Sequence, residues 1–223
     1  MGTARGSPTF NNFFMRLREI LMNLLRTLLL VSVWLAVPSI ASAQAPDLSW
    51  TYIDISATGG EIDVFGDDEG DLDFTEGTLS GSYGVAAYVA LVAGVSGGTV
   101  ETSELCFCTD IDTTAVSLGV ALHYPISPSF ELVAPLLYQW IELDDEFDSI
   151  DDSGYSVGAG FRWRANQPIE LSAGISYTEI FDDDSTSVSG SIRWHITELF
   201  SLAAGLGASD DTTSATLNGR FSF

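Results

Sequence analysis

The sequence predicts an all-β chain: an up-and-down antiparallel β-barrel that spans a membrane, ten strands in count, preceded by a cleaved signal peptide. Three observations predict it. The last eleven residues alternate strictly, with Ala215, Leu217, Gly219, Phe221 and Phe223 on one face and Ser214, Thr216, Asn218, Arg220 and Ser222 on the other. Side chains on a strand alternate faces with period two, so this segment is apolar on one side and polar on the other. Similar segments of about ten residues recur along the chain, separated by turn residues and acidic clusters, which is the signature of a membrane barrel. The N-terminus has the pattern of an export signal.

That N-terminus comes first. Arg16, Arg18 and Arg26 precede an apolar run, Leu28 to Val37; Pro38 breaks it, and Ala41-Ser42-Ala43 follows. A basic region, a short apolar core and a small-residue cleavage site make a secretory signal peptide. The run is too short for a transmembrane helix, which needs about 20 residues. The expected division is residues 1–43 as signal peptide and 44–223 as barrel domain, with Met15 and Met22 as alternative starts.

The first strand is read over Trp50 to Asp63, with Ile53, Ile55 and Ala57 opposite Tyr52, Asp54 and Ser56. The second spans about Thr75 to Val85. Ala86-Ala87 returns the chain into a third, Gly-rich segment, Tyr88 to Val100, whose faces the pattern leaves unassigned. The fourth sets Val116, Leu118, Val120, Leu122 and Tyr124 against Ser117, Gly119, Ala121 and His123, and a turn is expected from Pro125 to Ser129. The fifth runs from Phe130 to Leu143, and an acidic loop is expected from Asp144 to Ser153. The sixth sets Tyr155, Val157, Ala159, Phe161 and Trp163 against a face ending in Arg162 and Arg164. The seventh starts at Ile169 and the eighth ends near Ile196. The ninth starts at Phe200 and the tenth closes the series. Eight strands is the alternative count, if the first or third segment is not a strand. Short turns alternate with acidic loops, and aromatic residues gather at both ends of the strands as two girdles. The competing fold is a soluble β-sandwich; the uniform apolar face and a polar face built of Ser and Gly oppose it.

Composition excludes one class of partner. The formal charge is −23, from 31 acidic and 8 basic residues, and no lysine occurs. Nucleic acid is not an expected partner, because phosphate contact needs a basic surface.

Arg162, Arg164, Arg193 and Arg220 fall on the polar face near the turn end of even strands. Asp54, Glu131, Glu170, His123 and His195 fall on the same face near the same end. In a barrel that face is the lumen, so the expectation is a layer of ion pairs that plugs the turn half. Asp54 and Arg220 should meet, because closure joins the first strand to the last. The alternative is a selectivity ring in a narrow pore. Neither histidine is followed by a serine nucleophile pattern, so catalysis is not expected. Cys106 and Cys108 flank one residue in a loop, where a disulfide is geometrically tight. No cofactor is expected. Asp144, Asp145, Glu146, Asp148, Asp151 and Asp152 are weak candidates for a divalent-cation site, and none fits the EF-hand spacing.

From about Ser49 to Phe223 the chain resembles the small outer-membrane β-barrel proteins of Gram-negative bacteria, the OmpA/OmpX-like barrels. The resemblance rests on the strand–turn series and the terminal Leu217-x-Gly219-x-Phe221-x-Phe223. It implies export through the periplasm and insertion by the barrel-assembly machinery, which reads the terminal aromatic strand. It also implies contact with outer-membrane lipid and lipopolysaccharide. The acidic loops themselves read first as a solvated, self-repelling rim, with divalent cations that bridge them to lipopolysaccharide as the alternative. The expected role is structural or surface-interacting, with a narrow or plugged lumen. The alternatives are a small-solute or cation-preferring channel and, further off, a barrel hydrolase.

Overall fold

The computed structural model describes residues 50–63, 71–101, 110–144, 149–166, 168–181 and 183–223. The segment read as a signal peptide, both cysteines, and Asp145, Glu146 and Asp148 lie outside the described residues. Among the described residues there are ten strands. They are β1 (Tyr52–Asp63), β2 (Asp71–Ala86), β3 (Val89–Glu101), β4 (Ile111–Ser127) and β5 (Phe130–Asp144), followed by β6 (Ser149–Asn166), β7 (Ile169–Ile180), β8 (Asp183–His195), β9 (Phe200–Ser209) and β10 (Thr212–Ser222). Each pairs antiparallel with the next, and β10 pairs with β1, so the sheet closes. The seam runs in continuous register from Tyr52↔Ser222 to Ile62↔Thr212. Closure rules out the sandwich and removes both sheet edges.

The alternation expected from the sequence sorts the faces. On β1, Tyr52, Asp54, Ser56 and Thr58 are buried and Ile53 and Ile55 are exposed; on β10, Ser214, Thr216, Asn218 and Arg220 are buried and Leu217 and Phe221 are exposed. The large apolar side chains therefore point outward, with Leu206 at 69% and Leu217 at 68% exposure. A surface this apolar is stable against lipid and not against water. On β3 the inward positions are Ala90, Val92, Gly94, Ser96, Gly98 and Val100, which the sequence left open.

Several boundaries differ from expectation. The return after β2 is Ala87–Tyr88, and β4 continues through Pro125 to Ser127 with a register irregularity there. The larger correction concerns the acidic segment read as a loop from Asp144 to Ser153. β5 runs to Asp144 and β6 begins at Ser149, paired Asp144↔Ser149 and Glu142↔Asp151. The hairpin extends past the apolar band, where strand carboxylates stay in contact with water. Asp144, Asp151 and Asp152 are thus strand residues, not one ligand loop. Asp151 lies on the outward face and accepts from Trp140 Nε1 (3.3 Å), whereas Asp152 lies on the inward face and accepts from the Phe181 amide (2.7 Å). No group of three or more metal-ligating side chains occurs among the described residues.

The interior has three levels. The turn end holds the charged layer described below. The middle is a band of small hydroxyls tied across strands, with Thr58–Thr216 at 3.0 Å, Ser172–Ser191 at 2.7 Å and Ser176–Ser187 at 2.6 Å. The loop end is apolar. Ile62, Leu72, Phe74, Val100, Ile111, Ile141, Leu143, Ile180 and Phe181 are all buried there as one cluster. This apolar cap was not expected from the sequence. Phe181 holds a positive φ of 57°, uncommon for a residue with a side chain, and the Asp152 carboxylate fixes its amide.

Candidate functional site

The nine charged and histidine side chains singled out in the sequence all project inward at the turn end. Register explains why. Glu131 faces Arg162 across β5–β6, Arg164 faces Glu170 across β6–β7, Glu170 faces Arg193 across β7–β8, and Asp54 faces Arg220 across the seam. Alternate acids and bases on neighbouring strands, all on the inward parity, make one belt around the lumen.

The seam pair is bidentate. Arg220 Nε donates to Asp54 Oδ1 and Nη2 to Oδ2, both at 2.8 Å, with each side chain 1% exposed. The Tyr52 ring lies against the guanidinium, 3.7 Å from its carbon. Planar forks of this kind suit arginine and are the stronger ion pairs. Cation–π contact adds to it in a site shielded from water.

A second set spans β4 to β8. Arg162 donates to Glu170 Oε1 through Nε (2.7 Å) and Nη2, and its Nη1 sits 3.7 Å from Glu131 Oε2. The other Glu170 oxygen pairs with His195 Nε2 at 3.1 Å. Glu131 Oε1 pairs with His123 Nδ1 at 2.9 Å, and Trp50 stacks on that imidazole with ring centres 3.6 Å apart. Arg193 is held differently, by the Ser201 hydroxyl (3.0 Å) and the Asn218 amide oxygen (2.7 Å). Arg164 is only half-buried.

Sequence reasoning missed Trp50, Tyr52, Ser201 and Asn218 as members of this layer. Their inward parity was readable: Tyr52 shares a face with Asp54, and Asn218 shares one with Arg220. It also missed the apolar cap, although Ile141 and Leu143 follow Gln139 on the same inward parity of β5.

The four terminal residues expected to signal assembly lie on the other side of the wall. Leu217, Gly219, Phe221 and Phe223 follow the outward parity of the last strand, and the Phe221 and Phe223 rings lie 5.9 Å apart. Phe223 is tied by its amide to the Thr51 carbonyl (3.1 Å). Outward aromatics mark both girdles: Tyr88, Tyr124, Trp163, Trp194 and Phe200 at the turn end, Tyr138 and Tyr155 at the loop end.

With closed topology and an inverted interior established, comparison with known proteins is decisive at the family level. The profile of the outer membrane protein beta-barrel domain matches residues 28–195, about three quarters of the chain. The chain belongs to that family. Its location is therefore the outer membrane. Among solved structures it is similar to the translocator domain of the autotransporter NalP from Neisseria meningitidis, at 9% identity over 78% of this chain and 88% of that one, with a TM-score of 0.50. It is also similar to the β domain of the Bordetella autotransporter Brka, at 11% identity over 78% and 99%, with a TM-score of 0.53. At such identities the likeness shows the fold alone. No curated protein matches.

Proposed function

We propose that this is a non-conducting outer-membrane barrel with a structural and surface-interaction role. One observation carries the reading: the lumen is filled at both ends by unlike material. Ion pairs fill the turn end and apolar side chains fill the loop end. Ions crossing it would have to break buried pairs and pass an apolar plug, and each barrier is costly. Planar-bilayer recording tests this. A silent barrel is expected; resolved single-channel steps would overturn the reading and favour the small-solute or cation channel.

The surface part rests on charge outside the barrel. Glu61, Asp73 and Glu101 face one another across β1–β2–β3 on the outward parity; Asp112 faces Asp144, Glu142 faces Asp151 and Glu179 faces Asp184. The described arginines all point inward, so no base offsets these acids on the outer wall. Like charges directly opposite repel. Divalent cations shared with lipopolysaccharide phosphates would relieve that repulsion, and they are the partners we propose at this rim. The terminal strand serves assembly after export through the periplasm. No catalysis is proposed, since each histidine is committed to a buried glutamate.

A further inference from the structure

We propose that the lumen binds a compact monovalent anion on the guanidinium of Arg193, just above the ion-pair layer. The carboxylates of that layer are already engaged. Asp54 gives both oxygens to Arg220. Glu170 serves Arg162 and His195, and Glu131 serves His123 and Arg162. Arg193 is 4% exposed, and no carboxylate lies within 4.0 Å of it among the described residues. The other inward carboxylate buried on the far wall, Glu76, accepts from Thr78 on its own strand (2.9 Å). A guanidinium does not deprotonate in a protein, so Arg193 is a cation taken out of water with only neutral partners.

Those partners are arranged for an anion. Asn218 spends its carbonyl oxygen on Arg193 Nη2, and its amide nitrogen, on the same planar group, has no acceptor. Ser201 accepts from Nη1 and so keeps its own proton to give. One buried guanidinium thus has beside it a hydroxyl with a proton to give and an amide N–H with no acceptor. A buried donor without a partner calls for a bound group. The wall above has small side chains. Arg193 faces Ala203, Ser191 faces Gly205 and Ser189 faces Gly207 across β8–β9. The Ser189 hydroxyl there also has no partner. A halide matches this donor set by charge and would give the Asn218 amide an acceptor, whereas water would add no charge beside the guanidinium.

The site stands apart from conduction, so its test is read on crystals and on stability. The full chain, folded in detergent, is crystallised with sodium bromide. Its thermal unfolding is compared in sodium chloride and sodium gluconate at equal concentration. Expected are an anomalous bromide peak against Arg193 and Asn218, and a melting temperature higher in chloride by roughly 5 °C at a hundredfold excess over the dissociation constant. Arg193→Gln should lose both. Should that variant fail to fold, Asn218→Asp keeps the acceptor on Arg193 Nη2, replaces the amide donor with a carboxylate that neutralises the cation, and should abolish the chloride effect. A bromide-free map at Arg193, or a chloride effect unchanged in Asn218→Asp, overturns the proposal.

Discussion

Arg220, three residues from the end of the sequence, grips Asp54, the third residue of the first strand, through two parallel hydrogen bonds of 2.8 Å inside the lumen. The pair sits on the closing seam, where β10 meets β1. It joins the ends of the sheet by side chains as well as by backbone. Replacing Arg220 with alanine leaves a buried carboxylate without a partner, so a loss of about 3–5 kcal/mol is expected. Removing both charges, as Asp54→Leu with Arg220→Leu, should recover most of it. Urea unfolding of the folded barrel in lipid vesicles measures both. An Arg220→Ala barrel with unchanged stability and unchanged conductance would mean that the layer is no plug.

The apolar cap makes a separate prediction. Ile141 is fully buried in a cluster with Leu72, Phe74, Val100 and Ile180. Ile141→Ala should cost about 2–5 kcal/mol through lost burial and the cavity left behind. The barrel should stay silent in planar bilayers, because the charged layer remains. Combining Ile141→Ala and Phe74→Ala with Arg220→Ala attacks both seals and should produce measurable current. Silence in that triple variant would show that the hydroxyl band alone blocks the lumen.

These two seals differ in how far the sequence announces them. Charges are sparse on a barrel's inward face, so Arg162, Arg193 and Arg220 stand out, and alternation plus closure is enough to bring Arg162 to Glu170 and Arg220 to Asp54. The cap does not stand out, because Ile62, Ile141 and Ile180 look like lipid-facing residues until parity is followed to the strand ends. Parity itself weakens where glycine and alanine occupy both faces, as on β3, and only cross-strand pairing resolves it. The start of the sixth strand is read too late, past Asp151 and Asp152, because acids signal loops in general, whereas a barrel hairpin outlasts its apolar band. Asn218 carried no signal of its own, since its role depends on Arg193 two strands away.

Gly154 tests the tightness of that hairpin region. A methyl group there would collide with the main-chain carbonyl of Glu179 and come within 2.8 Å of the Ile180 Cβ. The carbonyl belongs to a paired strand and cannot yield cheaply, so Gly154→Ala should cost about 1–3 kcal/mol. Gly190→Ala is the control, because its added carbon meets nothing nearer than the Ser172 carbonyl at 3.7 Å. Thermal unfolding of the two variants should separate them; equal losses would contradict the packing described here.

The outer acidic rim gives the last prediction. Glu142 and Asp151 face each other across β5–β6, and Asp151 also takes a hydrogen bond from Trp140 at the girdle. Tyr155 makes the equivalent contact with Glu179 at 2.7 Å. The carboxylates therefore stand beside the aromatic rings of the girdle, where we propose that they meet lipopolysaccharide phosphates. With no divalent cation present, Glu142→Gln should stabilise the barrel slightly, because it removes a facing like charge. In lipopolysaccharide vesicles with calcium the sign should reverse, because the same change deletes a ligand for the bridging ion. Melting temperatures of wild type and Glu142→Gln, with calcium and with chelator, decide it. A variant that is more stable under both conditions would mean that the rim only repels itself and holds no cation.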